Sequence, residues 1–321
     1  MTRILVLYYS QTGQLTRAAR AMLAPLAARR DIEIVWQELK PVAPYPFPWG
    51  FMQFFDTFPE CVHLDPPPIR PVDFSPAEHF DLVVLAYQVW FLSPSLPVTA
   101  FLQSEAAAVL RDAPVITLIA CRNMWLSAQE KIKKLLIARA ARHVDNVVLT
   151  DQGPAWATFV TTPRWVLTGK KNGFWGIFPP AGVGENDIAA TARFGRALAD
   201  ALPGVKSVTG PYLAGLRAVK VNPGYIAGEK IAHRSFMLWG RLLRAIGQPG
   251  NPLRRAVLVF YIVFLVTMIL TVMPVSIIAR ALLRPLLRRR LDAEVARLEQ
   301  PSGSSDERMT RYARADERLT L

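Results

Sequence analysis

Three short stretches carry the residue types that could do chemistry. The first is YYSQTGQLTR, which places Ser10, Gln11, Thr12, Gly13, Gln14 and Thr16 directly after the apolar run Arg3–Tyr9. Hydroxyls, amides and one glycine at the mouth of a helix suit an anion, because side-chain donors and the unpaired first-turn N–H groups converge there and the helix dipole favours negative charge. A phosphate monoester fits that description. The second stretch, AYQVWFLSPSL, offers Gln88, Trp90 and Phe91 after the run Leu82–Tyr87, and the third, ACRNMW, offers Cys121, Asn123 and Trp125 after Val115–Ala120. Aromatic side chains at strand ends could stack on a flat ring. Each set also has a plainer reading. Ser10 and Thr12 could cap a helix, Trp90 and Phe91 could be loop packing, and Cys121 could be a small buried hydrophobe.

Other chemistry finds little support. Cys61 and Cys121 are the only cysteines and have no CxxC spacing, and His63, His79, His143 and His233 are scattered. Neither a disulfide scaffold nor a metal site is expected. No GxGxxG or GxxxxGK[ST] follows the first strand-like run, which argues against dinucleotide and P-loop nucleotide binding.

The elements that must position these loops alternate. Strand-like runs fall at Ile4–Tyr9, Ile32–Leu39, Leu82–Tyr87, Val115–Ala120 and Asn146–Thr150, with helical stretches at Leu15–Arg29, Leu96–Leu110, Leu126–His143 and Glu185–Leu202. That alternation predicts an α/β fold with a five-stranded, doubly wound parallel sheet in the order 2-1-3-4-5. In such a sheet the three chemistry-bearing loops share the carboxyl edge, at the switch point where ligands bind.

On those residues the chain resembles flavodoxin-like FMN proteins, whose phosphate loop reads [ST]-x-T-G-x-T. Ser10, Thr12 and Gly13 match; Leu15 stands where the last threonine is expected, and Thr16 follows one place later. More narrowly, YYSQTGQLTR, LIACRNMW, DQGPAWATFVTTPRW and FPPAGVGENDI resemble bacterial proteins labelled dialkylresorcinol condensing enzymes. The resemblance implies FMN as cofactor, Ser10–Gln14 and Thr16 around its phosphate, and Gln88, Trp90, Phe91, Cys121, Asn123 and Trp125 around its ring. Condensation of acyl thioesters requires an activated Cys with His or Asn partners, and neither cysteine has that setting. A flavin-dependent redox step on the condensed ring is the better expectation, with no catalytic base identified by the sequence. The alternatives from another class are a membrane-tethered electron carrier or quinone reductase, or a cofactor-free scaffold.

Charge is unevenly distributed. Residues 205–290 hold 14 Lys or Arg against one acid, Glu229, so the net charge of +13 resides in that segment. Within it, Ala256–Ala279 runs 24 residues without a charge, longer than the ~20 a helix needs to cross a bilayer. Basic flanks on such a run point to anionic lipid, and nucleic acid is not expected as a partner. Arg280, Arg284, Arg288, Arg289, Arg290 and Arg297 follow the run while Arg241, Arg244, Arg254 and Arg255 precede it. Cations on both sides favour both flanks staying on one face, with Pro274 kinking the segment; the alternative, from the length of the run, is an ordinary single span. No leader-like pattern is seen at Met1–Arg3, and a place on the cytoplasmic face of the inner membrane is expected.

The expected organisation is a flavodoxin-like domain at 1–202, including a long aromatic loop at 151–186. A basic amphipathic linker follows at 203–255, a membrane anchor with an Arg-rich flank at 256–290, and a polar, disordered tail at 291–321. The expected partners are a lipidic small-molecule substrate, anionic membrane lipids and proteins of the same biosynthetic pathway.

Overall fold

The computed structural model describes residues 1–202, 210–272 and 288–314. The apolar runs form β1 (Thr2–Tyr8), β2 (Ile32–Glu38) and β3 (Leu82–Tyr87). After a small hairpin, β4 (Val89–Trp90) with β5 (Ser93–Pro94), come β6 (Pro114–Cys121) and β7 (Arg142–Thr150). The large sheet has the order β2-β1-β3-β6-β7 with every pairing parallel. This is the flavodoxin-like doubly wound order. Ile4–Leu7 and all of β3 are buried, as continuous apolar runs in central parallel strands require.

Helix α1 (Gln14–Ala27) starts at once after the first loop, with Gly13 in the left-handed region at φ 75°. A glycine takes that turn without a Cβ penalty. Two short helices, α2 (Phe51–Asp56) and α3 (Phe58–His63), occupy the Pro-rich connection before β3, and α4 (Leu96–Gln103) and α5 (Leu126–Ala138) precede β6 and β7. The stretch expected as one helix to Leu110 breaks at the extended Ser104 and continues as a 3-10 turn over Glu105–Leu110. Helix α5 stops five residues short of expectation because Ala140 takes φ 55° and Arg142–Asp145 join β7. The expected aromatic loop contains α6 (Ala155–Thr168), and Glu185–Leu202 divides into α7 (Glu185–Ala189) and α8 (Ala192–Ala201).

Residues beyond 202 depart most from expectation. The stretch 210–221, expected within a linker, runs beside β7, with Val148 N–H bonded to the Ala218 carbonyl at 2.9 Å. Leu213, Leu216, Ala218 and Val219 belong to the main core. Helices α9 (Pro223–Ile246) and α10 (Pro252–Leu270) then pack with α2 and α3 around Phe58, Val62, Leu243, Leu258 and Tyr261. The tail expected to be disordered is instead folded through residue 314, as α11 (288–299), a turn and α12 (Met309–Tyr312). Its polarity has a structural use. Ser302 donates to Asp145 Oδ1 at 2.7 Å and accepts from Asn146 N–H, while Glu299 accepts from Val221 N–H. These side chains satisfy backbone and carboxylate groups that burial would otherwise leave unpaired. Pro274 and the cations Arg280 and Arg284 lie outside the described residues.

Candidate functional site

The carboxyl edge of the sheet gathers the first loop and the start of the second. Gln11 N–H donates to Gln88 Oε1 at 3.2 Å, so the two loops are tied directly. Ser10 Oγ accepts from Thr16 N–H at 3.4 Å, placing Thr16 in the first turn of α1 and not at the loop tip. The Thr12 hydroxyl is buried with no hydrogen-bond partner, and the N–H groups of Thr12, Gly13, Gln14 and Leu15 have none among the described residues. A buried hydroxyl and a row of first-turn amides without acceptors are the donor set of an anion site.

Two segments close over that loop, the Tyr45–Trp49 stretch, which the sequence did not single out, and the aromatic segment 151–186, which it did. Trp49 donates its indole N–H to Gln11 Oε1 at 2.9 Å, and Gln11 Nε2 donates to the Pro46 carbonyl at 2.8 Å. On the other side Gln14 exchanges two hydrogen bonds with the Val183 backbone, at 3.0 and 3.1 Å. Gly182 fits between Gln14 and Trp165, where a Cβ would come within 2.8 Å of each. Trp49 N–H also bonds the Val166 carbonyl of α6. The aromatic segment 151–186 therefore does reach the first loop. Its sequence signal was the density of Trp and Phe between the last strand and the last helix of the domain; the Tyr45–Trp49 stretch had no comparable signal among its prolines.

The aromatic candidates separate. Trp90 stands edge-on to Tyr9, Tyr45 and Trp49, at ring centroid distances of 5.7, 5.0 and 5.6 Å, and forms a wall beside the loop. Phe91 does not join it. With φ 47° the chain reverses at Phe91, whose ring packs on Phe54, Phe58 and Phe236 in the second apolar cluster. The expectation that Trp90 and Phe91 flank one ring is corrected here: the tight β4–β5 hairpin points them into different clusters.

The third loop lies further along the edge. Burial pushes the Cys121 thiol well above its ordinary value, which favours the protonated form over the thiolate. Asn123 Oδ1 accepts from the Met124 N–H, and Trp125 is buried. Asn123 and Trp125 line a cavity of about 840 Å³ that also takes in Asp151, Tyr225 and Glu229. Asp151 links this cavity to the first loop, since its Oδ2 accepts from Gly182 N–H and its Oδ1 from Gly153 N–H, both at 2.8 Å. Beside it, the Arg122 guanidinium stacks 3.8 Å over Phe159 and donates to Thr158. Glu229 was conspicuous in the sequence as the lone acid of a basic segment. Its position in the fold could not be read from that.

No family model and no curated protein matches the chain. Among solved structures it is similar to a flavoprotein in complex with FMN from Lactobacillus acidophilus NCFM, at 16% identity over 46% of this chain and 93% of that one, with a TM-score of 0.37. It is also similar to a flavodoxin from the domain Archaea, at 11% identity over 63% of this chain and 98% of that one, with a TM-score of 0.34.

Proposed function

We propose that the chain is an FMN-dependent oxidoreductase held at a membrane surface, oxidising a cyclohexanedione to a resorcinol in dialkylresorcinol-type lipid biosynthesis. The observation that carries this reading is the buried, unpartnered Thr12 hydroxyl beside the unpaired N–H groups of residues 12–15. That donor set fits a phosphate monoester, with Ser10, Thr12 and the amides of Gly13 to Leu15 as its ligands. Trp90, with Tyr45 and Trp49, offers an aromatic wall for the flavin ring. When bound, the flavin supplies a two-electron acceptor, and the protein contributes orientation and exclusion of water. Trp49, Trp165 and Gly182 close the loop from both sides, which favours an enzyme over a carrier that exchanges electrons through an exposed cofactor edge. Loss of a hydride and a proton from a cyclohexanedione makes the ring aromatic, which drives the reaction forward.

Membrane attachment rests on α10, the one helix among the described residues long and apolar enough to cross a membrane. Its outward face carries Phe260, Val263 and Leu270, each at least 60% exposed. Helix α11 returns to the same body: Glu294 pairs with Lys230, Arg297 with Glu130, and Leu298 enters the main core. Residues 252–262 and 288–299 pack on one body, which supports a reading in which both flanks of the apolar segment stay on the same side of the bilayer. A substrate with alkyl tails partitions into that bilayer.

The test has two stages. Thr12→Val should weaken FMN retention about tenfold in equilibrium dialysis, from loss of one hydrogen bond to a charged group. Anaerobic mixing of oxidised, flavin-loaded protein with a dialkyl cyclohexanedione should then bleach the flavin and yield resorcinol. Flavin that stays oxidised there, yet is reduced by a nicotinamide donor, would overturn aromatisation in favour of a quinone or electron-transfer reductase.

A further inference from the structure

The cavity beside the third loop has its own chemistry. Its walls include Trp125, Leu149, Val219 and Val221, and its polar groups differ in what they have left to give. Asp151 accepts from two backbone amides, and Glu299 accepts from Val221 N–H and the Ser304 hydroxyl. Arg217 pairs with Asp306. Glu229 is different. It is 1% exposed, its Oε1 accepts from Ser127 N–H in the first turn of α5, and its Oε2 is buried with no partner.

A carboxyl oxygen buried without a donor is costly, and native structures seldom keep one idle. The wall is mixed: Arg193, Arg217 and Lys220 stand in it beside Asp151, Asp187 and Glu299, and Asp151 and Glu299 already accept from protein donors, so a cationic ligand is disfavoured, while Trp125, Leu149, Val219 and Val221 supply its apolar part. A flat, neutral ring with a hydroxyl satisfies both the walls and the free oxygen. We infer that this cavity binds a neutral hydroxylated ring, an enol or a phenol, whose O–H donates to Glu229 Oε2. The inference rests on the proposed function for its substrate class and on the cavity for its place. Burial raises the Glu229 carboxyl above its ordinary value, against the opposing hydrogen bonds from Ser127 and Leu126. Through Asp151 and Gly182 the cavity adjoins the loop that would hold the flavin.

The test compares 5-methylresorcinol with its dimethyl ether, which keeps the ring and loses both O–H donors, by calorimetric titration of the full chain in detergent. The wild type should bind the diol about tenfold more tightly than the ether. Glu229→Gln keeps an oxygen for the Ser127 N–H and replaces the free oxygen with a donor, so it should bind the two alike. A photoreactive resorcinol on the unaltered protein should label residues 123–126 and 217–229. Equal binding of both probes by the wild type, a preference that persists in Glu229→Gln, or labelling confined elsewhere would each overturn the inference. Parallel titration with FMN separates the two readings. FMN binding without a diol preference removes only this inference, and a diol preference without FMN binding removes only the flavin.

Discussion

Arg254 grips Glu60 through both guanidinium nitrogens, Nη1 to Oε1 at 2.9 Å and Nη2 to Oε2 at 2.8 Å, while its Nε bonds Asp56 Oδ1 at 2.7 Å. Arg254 is fully buried and opens the apolar helix α10; Glu60 lies on α3. The pair therefore joins the apolar helix α10 to the sheet domain. Removing one partner leaves two carboxylates uncompensated, so Arg254→Met should cost about 3–5 kcal/mol. Thermal unfolding of the full chain in detergent checks this, and Arg254→Met with Asp56→Asn and Glu60→Gln should recover much of the loss.

Helices α1 and α8 touch through backbone. A Cβ at Gly195 would lie 1.9 Å from the Met22 carbonyl oxygen, which is backbone and cannot swing aside. Gly195→Ala should lower stability by at least ~2 kcal/mol, the range of overpacked cores, in spite of its better helix propensity. The urea midpoint measures it; an unchanged or higher midpoint would mean that the two helices separate freely.

Strand β7 carries two buried titrating groups with opposite effects. Burial pushes Asp145 up to about 6 even though it accepts from Ser302, Tyr212 N–H and Leu213 N–H. Burial pushes His143 down to about 4. The folded state holds a proton on Asp145 more readily than the unfolded chain does, so that contribution is complete below pH 4 and is lost as pH rises through 6. The folded state resists protonating His143, so that contribution is present above pH 6.5 and is lost as pH falls through 4. Over pH 4–6 the two slopes oppose each other. His143→Gln should unmask the first: relative to wild type, its stability should fall by up to about 3 kcal/mol from pH 4 to pH 6. Urea midpoints at three pH values suffice, and a difference independent of pH would contradict the assignment.

The lipid-facing reading predicts that Phe260→Glu, at 64% exposure on α10, leaves folding intact and weakens flotation with anionic vesicles. A carboxylate carried into the hydrocarbon costs about 3 kcal/mol. A reporter fused after Leu321 should be active on the same side as one fused before Met1; activity on opposite sides would overturn same-side insertion.

The sheet was legible because its central strands are buried on both faces and so read as unbroken apolar runs, Arg3–Tyr9 and Leu82–Tyr87 above all. The turn between β1 and α1 was legible because hydroxyls and a glycine between an apolar run and a helical stretch mark a strand end and a helix start. What could not be read was tertiary in origin. Phe91 looks like a partner of Trp90 until the β4–β5 hairpin turns it away. Ser302 and Glu299 look like solvated tail residues until Asp145, Asn146 and Val221 are seen to need them. Glu229 stands out by its charge, but only the packing of α9 on α5 brings it to the N-terminus of that helix.

The most direct test of the central claim is the visible absorption spectrum of the full chain purified in mild detergent and dialysed against FMN. The account predicts a yellow protein with bound flavin absorbing near 450 nm, in about one-to-one ratio and reduced about tenfold in affinity by Thr12→Val. A folded protein that remains colourless after dialysis, or that holds FMN equally well without the Thr12 hydroxyl, would contradict it.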